Sequence, residues 1–164
     1  MGWVGASVAI SVLQQGVARE LVLCDARTAI AEGEAMDLAH GAAFYPATYI
    51  HTGAVEDMLD CDAVVIAAGR GGKPAESRLA LLRDNAGIVA DIAKRLARLR
   101  GLLVVVSNPV DILTQIAFEA SGLPVARVIG TGTMLDTARL RHAVGRELRL
   151  DPRSIHAQVI GEHG

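Results

Sequence analysis

Two uninterrupted aliphatic runs, Ala63-Val64-Val65-Ile66-Ala67 and Leu102-Leu103-Val104-Val105-Val106, constrain what this chain can fold into more tightly than any other feature. A strand that faces water on one side alternates apolar with polar residues. A run without alternation needs cover on both faces, which a parallel sheet layered by helices provides. The intervening sequence supports that reading, because Leu79, Leu82, Ala86, Val89, Ala93 and Leu96 keep the three-four spacing of a helix with one apolar stripe against a sheet. Shorter strands are expected at Glu20 to Asp25, Tyr49-Ile50-His51, Arg127-Val128-Ile129 and Ile155 to Ile160. Helices are expected from Val4 through Val12 to a stop at Gly16, from Ala26 to His40, from Val110 to Ser121, and through Asp136, Arg139 and Arg141. Strands alternate with helices throughout, so the expected fold is α/β, a doubly wound parallel sheet.

Composition narrows the function classes. The net charge of −2 and 3% aromatic content lack the basic excess and stacking rings of a nucleic-acid binder, so no nucleic-acid partner is expected. No apolar run reaches the ~18 residues of a membrane span, and the first residues lack the pattern of a cleaved leader, so no membrane partner is expected and the compartment is read as cytoplasmic. Cys24 and Cys61 are too few for a disulfide framework and are read as buried free thiols outside the chemistry. No residue is assigned to a metal.

Chemistry enters at the first residues. Gly2 and Gly5 match the last two glycines of G-x-G-x-x-G, with Met1 standing where the tight turn should continue. Asp25 lies 20 residues beyond Gly5 at the end of a predicted strand, where a carboxylate accepts hydrogen bonds from a ribose 2′-hydroxyl and repels a 2′-phosphate. That pattern points to NAD as cofactor; the plainer reading of Asp25 is a cap for the next helix. Gly69 follows the first aliphatic run, where a missing side chain lets backbone approach a ligand. Asn108 follows the second, at the strand end where open α/β sheets place ligands. Arg70-Gly71-Gly72-Lys73-Pro74-Ala75-Glu76-Ser77-Arg78 reads as a polar loop leading into the third helix. Asp136 and Arg139, three apart, share a helix face and could be no more than a surface ion pair.

Taken together, Asp25, Glu34 to His40, Glu76-Ser77-Arg78, Ser107-Asn108-Pro109-Val110-Asp111, Asp136-Thr137-Ala138-Arg139 and Gly161-Glu162-His163-Gly164 resemble the lactate/malate dehydrogenase family, in the family's order and across essentially the whole chain. The resemblance implies an NAD(P)-binding Rossmann fold and an enzyme that moves a hydride between NAD and a 2-hydroxy acid. It implies His163 as proton donor and acceptor, Asp136 as its orienting partner, Arg78 as a loop arginine that meets substrate, Arg139 as the clamp on the substrate carboxylate, and Asn108 on the substrate and nicotinamide side. Gly2, Val4, Gly5, Asp25, Gly69, Val106 and Asn108 would form the cofactor site. Histidine suits the proton step, because its unperturbed pKa lies near neutrality.

Glu34 to His40 and Glu76-Ser77-Arg78 resemble bacterial L-lactate dehydrogenases more than malate dehydrogenases. Arg141 with His156 is similar to the basic pair by which bacterial lactate dehydrogenases bind fructose 1,6-bisphosphate as effector. Gly72 stands where lactate enzymes of the family carry glutamine and malate enzymes arginine, so the side chain that senses the far end of the substrate is missing, and Ala75 replaces a usual glycine. The resemblance implies a homo-oligomer, a tetramer, in the complete enzyme. Residues 1–164 are read as an incomplete dinucleotide-binding domain ending at the catalytic histidine, lacking the family's first strand and its C-terminal substrate domain. Loss of a central strand would leave its two neighbours about 10 Å apart with unpaired backbone groups. The expected activity is NAD-dependent interconversion of L-lactate and pyruvate by the parent enzyme, the chain itself being an inactive fragment. The alternatives are a malate or other 2-hydroxy acid dehydrogenase and a non-catalytic nucleotide-binding module.

Overall fold

A computed structural model describes residues 1–72 and 77–163 of the chain, without the side chain of Arg78. Among the described residues five α-helices and five strands follow in the order α1 (Trp3–Gln15), β1 (Glu20–Leu23), α2 (Thr28–His40), β2 (Tyr49–Thr52), β3 (Ala63–Ile66), α3 (Arg78–Arg95), β4 (Leu102–Val105), α4 (Val110–Ser121), β5 (Val128–Gly130) and α5 (Met134–Leu148). Every ladder is parallel. β1 pairs with β2, and β3-β4-β5 form a second sheet in that order. Among the described residues no ladder joins the two sheets.

The larger core lies where α3 and α4 pack on each other and on the three-stranded sheet. Val89 and Ala93 of α3 and Leu96 just past its end, Leu103 and Val105 of β4, and Leu113 and Ala117 of α4 are fully shielded from water. Each leucine or valine buried here stabilises the fold by roughly 1.5–3 kcal/mol. A smaller core gathers Ala9 and Leu13 of α1, Leu23 of β1, and Ala35 and Leu38 of α2. Ion pairs fasten the margins. Arg95 grips both oxygens of Glu56 at 2.6 and 2.8 Å, which pulls the Glu56 carboxyl down to about 2. His51 on β2 bonds Glu20 on β1 through Nε2 at 2.8 Å.

Three expectations are corrected. Val65 of β3 is 40% exposed and its neighbours Val64 and Ile66 are buried, because α3 and α4 cover the face that holds Val64, Ile66, Leu103 and Val105 and leave the other face only partly covered. Leu79 is 57% exposed and outside the core cluster, and the stripe that packs on that cluster begins at Leu82 and Ala86. Residues 155–160 form no strand. The chain there is extended but runs beside α5, where helix side chains rather than a neighbouring strand take up its backbone groups. Cys24 and Cys61 are free and half-buried. Among the described residues no helix is long and apolar enough to cross a membrane.

Gly101 is fixed by crowding at the entry to β4. A Cβ there would overlap the carbonyls of Cys61 and Asp62, and the Asp62 carbonyl accepts the Leu102 N–H at 2.9 Å to start the β3–β4 ladder. Gly101→Ala should therefore lower stability by about 1–3 kcal/mol, the usual cost of overpacking. Urea unfolding reads this as a lower midpoint; an unchanged midpoint would contradict the account.

Candidate active site

Because β3, β4 and β5 are parallel, the chain leaves all three at one edge of the sheet, where the loops after them are stitched together. The Val106 N–H donates to the Ile66 carbonyl at 3.0 Å, and the Thr131 N–H donates to the Val105 carbonyl at 3.0 Å. The Ser107 hydroxyl reaches back to the Ala68 carbonyl at 2.6 Å. Asn108, exposed and joined to Pro109 by a cis peptide bond, stands just past this stitching. Gly69 sits against the buried side chain of Asn85, whose Oδ1 accepts the Arg70 N–H at 2.8 Å. The glycine thus makes room for an internal anchor of the following loop. Asn85 was not legible in the sequence, being a polar residue on a helix whose apolar stripe passes beside it.

The first turn of α1 is open. Gly2 caps it with extended backbone and no side-chain acceptor, no acidic residue lies in that turn, and a Cβ on Gly2 would meet nothing within 4 Å. Free N–H groups at a helix N-terminus, with space in front of them, form an anion site of the kind that takes a pyrophosphate. Val4, 52% exposed, is in that turn, and Gly5 brings α1 toward Ala67 beyond β3. Asp25 lies two residues past the end of β1, where its Oδ1 accepts the Arg27 N–H at 2.8 Å and its Oδ2 pairs with the Met1 ammonium. Asp25 therefore does turn the chain into α2, and a carboxylate with two oxygens keeps lone pairs for further donors. These residues fit an NAD.

At the other end of the edge stands His163. Its Nδ1 lies 2.6 Å from Asp136 Oδ2, so Nδ1–H donates to the carboxylate and Nε2 is the ring nitrogen left over. Among the described residues Nε2 has no partner. Asp136 is in the first turn of α5, where the helix dipole favours a negative charge. The His163 hydrogen bond, joined by the charge of Arg139, holds the Asp136 carboxyl below its ordinary 3.8. Arg139 Nη1 is 3.6 Å from Asp136 Oδ1 and the side chain is 67% exposed, free to turn toward an arriving carboxylate.

The segment that delivers His163 is held from α5. Thr133 Oγ1 donates to the Val159 carbonyl at 2.7 Å, Thr137 Oγ1 accepts the Val159 N–H at 3.0 Å, and Arg141 Nε donates to the Ala157 carbonyl at 2.9 Å. Thr133 and Thr137 sit four apart on one helix face, a pattern the sequence contained but did not announce as functional. Gly161 then turns the chain with φ +117°, a conformation side-chain-bearing residues rarely adopt. The His163 N–H donates to Asp111 Oδ2 at 2.7 Å. A groove of about 700 Å³ opens between the start of α5 and this segment, with Thr131, Gly132, Arg141, Gln158 and Gly161 on its walls.

Not every candidate joins the set. The Arg78 side chain and Ala75 lie outside the described residues, although the Arg78 backbone opens α3. Among the described residues no hydrogen bond or ion pair links Arg141 to His156, which is exposed. A side chain grown at Gly72 would reach Leu81 at 3.4 Å, an ordinary contact.

Comparison with known proteins decides the family. Residues 1–130 match the lactate/malate dehydrogenase NAD binding domain, and residues 133–164 match the lactate/malate dehydrogenase alpha/beta C-terminal domain. The chain belongs to the lactate/malate dehydrogenase family. It carries an NAD-binding domain of that family, and the fold is the Rossmann type. L-lactate dehydrogenase 2 of Enterococcus faecalis is 48% identical over 99% of this chain and 52% of its own length. L-lactate dehydrogenase of Kosmotoga olearia is 46% identical over 99% of this chain and 51% of its own. The ligand-bound minor L-lactate dehydrogenase of Enterococcus mundtii superposes with a TM-score of 0.96 at 45% identity, over 100% of this chain and 53% of that one. A lactate dehydrogenase from a Medee basin deep-sea metagenome library superposes at 0.95, with 46% identity and the same coverage. The chain thus spans about half the length of these relatives.

The depressed Asp136 carboxyl has a consequence for pH. A group whose folded pKa is lowered contributes stability above its unfolded value and loses it as pH falls through the folded one. Acidification below 3.8 should therefore loosen the segment that ends in His163. Amide exchange at Val159 and His163 should quicken in that range, and Asp136→Asn should abolish the pH step. The same step in Asp136→Asn would contradict the assignment.

Proposed function

We propose that the protein carrying this chain interconverts pyruvate and L-lactate with NAD. The observation that carries the reading is the 2.6 Å contact from His163 Nδ1 to Asp136, at the strand-end edge of an NAD-binding domain, with Nε2 left to face a substrate. The similarity to L-lactate dehydrogenases of Enterococcus faecalis and Kosmotoga olearia supports it.

In this reading, reduction of a 2-oxo acid needs a proton on the carbonyl oxygen as the carbonyl carbon is reduced. Bound NADH would supply the hydride. As the imidazolium, His163 donates the proton on Nε2 and is left as the neutral ring with Nδ1–H on Asp136, which stabilises the imidazolium when Nε2 is protonated again. Arg139 swings from Asp136 to bind the substrate carboxylate through two parallel hydrogen bonds, which fixes the direction of the molecule. Arg78 and Asn108 meet the substrate from the loop and the β4 end. Gly2, Val4 and Gly5 hold the pyrophosphate, Asp25 the adenosine ribose, and Gly69, Val106 and Asn108 line the rest of the cofactor's path. Gly72 offers no cation for a second carboxylate, which disfavours malate and leaves room for a bulkier 2-oxo acid.

The finer parts of the reading are these. Arg141, which spends Nε on Ala157, and His156 receive fructose 1,6-bisphosphate as effector. The whole protein is a cytoplasmic tetramer. Residues 1–164 alone, in which no ladder joins the two parallel sheets among the described residues, do not turn substrate over.

The test is NADH-dependent reduction of pyruvate against oxaloacetate by the protein that carries this chain. Pyruvate should be preferred, and His163→Gln should lower kcat by about 10²- to 10⁴-fold. Preference for oxaloacetate, or full activity in His163→Gln, would overturn the proposal.

A further inference from the structure

The turn between β1 and α2 places an acid and a base at one point. Asp25 Oδ1 accepts the Arg27 N–H at 2.8 Å, and the Arg27 side chain folds back until its Nε stands 4.0 Å from the same oxygen. The two side chains meet water differently: Asp25 is 17% exposed and Arg27 77%. Among the described residues nothing other than Asp25 engages the Arg27 guanidinium, and no acidic residue lies in the first turn of α2 that follows it. Arg27 has no role in the reading above.

In that reading Asp25 takes the hydroxyls of the adenosine ribose. A 2′-hydroxyl donates to a carboxylate, whereas a 2′-phosphate offers no hydroxyl at that position and brings about 1.5 to 2 negative charges near neutrality. Asp25 alone therefore turns a 2′-phosphorylated cofactor away. Arg27 alters that balance. A phosphate pushed outward from the shielded carboxylate arrives at the exposed guanidinium, whose planar fork matches two phosphate oxygens. The contact that Arg27 gives up is long and solvated, so its loss costs little.

We propose that Arg27 is a cofactor-specificity residue that lets this site accept NADPH as a second, weaker cofactor beside NADH, by binding the 2′-phosphate that Asp25 repels. The proposal rests on the reading that Asp25 holds the adenosine ribose. It leaves the hydride step untouched, since the 2′-phosphate is on the adenosine half of the molecule, away from the nicotinamide.

Fluorescence titration of the protein that carries this chain with NADH and with NADPH, in the absence of substrate, reads both affinities. The unsubstituted protein should bind NADPH within about 100-fold of NADH, a gap that one charged hydrogen-bonded contact keeps from widening. Arg27→Ala should weaken NADPH by about 10- to 100-fold and leave NADH within about threefold. Arg27→Lys keeps the charge but not the fork and should fall between the two. Asp25→Asn removes the repelling charge and should tighten NADPH by about tenfold while weakening NADH. Added salt should weaken NADPH more than NADH in the unsubstituted protein, and the difference should shrink in Arg27→Ala. The Arg27 side chain caps no helix N–H, so NADH affinity serves as the check that Arg27→Ala is folded. A wider gap in the unsubstituted protein, an unchanged NADPH affinity in Arg27→Ala, or equal losses of both cofactors there would overturn the proposal. If Asp25→Asn moves neither affinity, the ribose is not at Asp25, and that reading falls together with the proposal. If Asp25→Asn separates the two cofactors and Arg27→Ala does not, the proposal alone falls and the ribose reading stands.

Discussion

Parallel pairing of β3, β4 and β5 is the constraint on which the rest depends. It points three strands the same way, so the turns after Ile66, Val105 and Gly130 open at one edge. Leu103 and Val105 anchor that arrangement in the core, and the bonds from Val106, Ser107 and Thr131 bind the turns to one another. Groups separated by tens of residues in sequence thereby become neighbours without any of them having to travel. Gly101 is part of the same device, because only an absent side chain lets β4 enter beside Asp62.

The electrostatics at that edge come from helix starts. α1 offers uncapped N–H groups and no acid, which suits an anion. α4 and α5 each carry an aspartate in the first turn, and both aspartates are spent on His163. The same structural feature, the positive end of a helix, is thus left vacant of acid in one place and filled with a carboxylate in two others. In the proposed reading, that division separates an anion-receiving end of the site from a proton-handling end.

The alternation of elements was legible because it is written in periodicity. Runs such as Leu102 to Val106 and the spacing Val89, Ala93, Leu96 read directly as strand and helix. Asp25, Asp136 and His163 stood out through residue type and order, as the family's pattern, and the structure brings the last two into contact. What escaped the sequence depends on distant partners. The extended stretch 155–160 has the composition of a strand, and only Thr133, Thr137 and Arg141 of α5 decide that it finds hydroxyls and a guanidinium instead of a ladder. Asn85 is a buried polar residue because the Arg70 backbone needs it, and nothing near Asn85 in sequence says so. Asp111 bonds a residue 52 positions away, a relation that no local pattern encodes. Val65 lost cover because a continuous apolar run reports a strand but not whether both layers of helices reach it.

The central claim is that this edge of the sheet brings NAD, a 2-oxo acid and His163 together for direct hydride transfer. NADH carrying deuterium at the transferring C4 position, incubated with pyruvate and the protein that carries this chain, tests it most directly. The account predicts L-lactate with deuterium bound to its second carbon and none acquired there from solvent. Unlabelled lactate, or label that exchanges with water before it reaches that carbon, would contradict it.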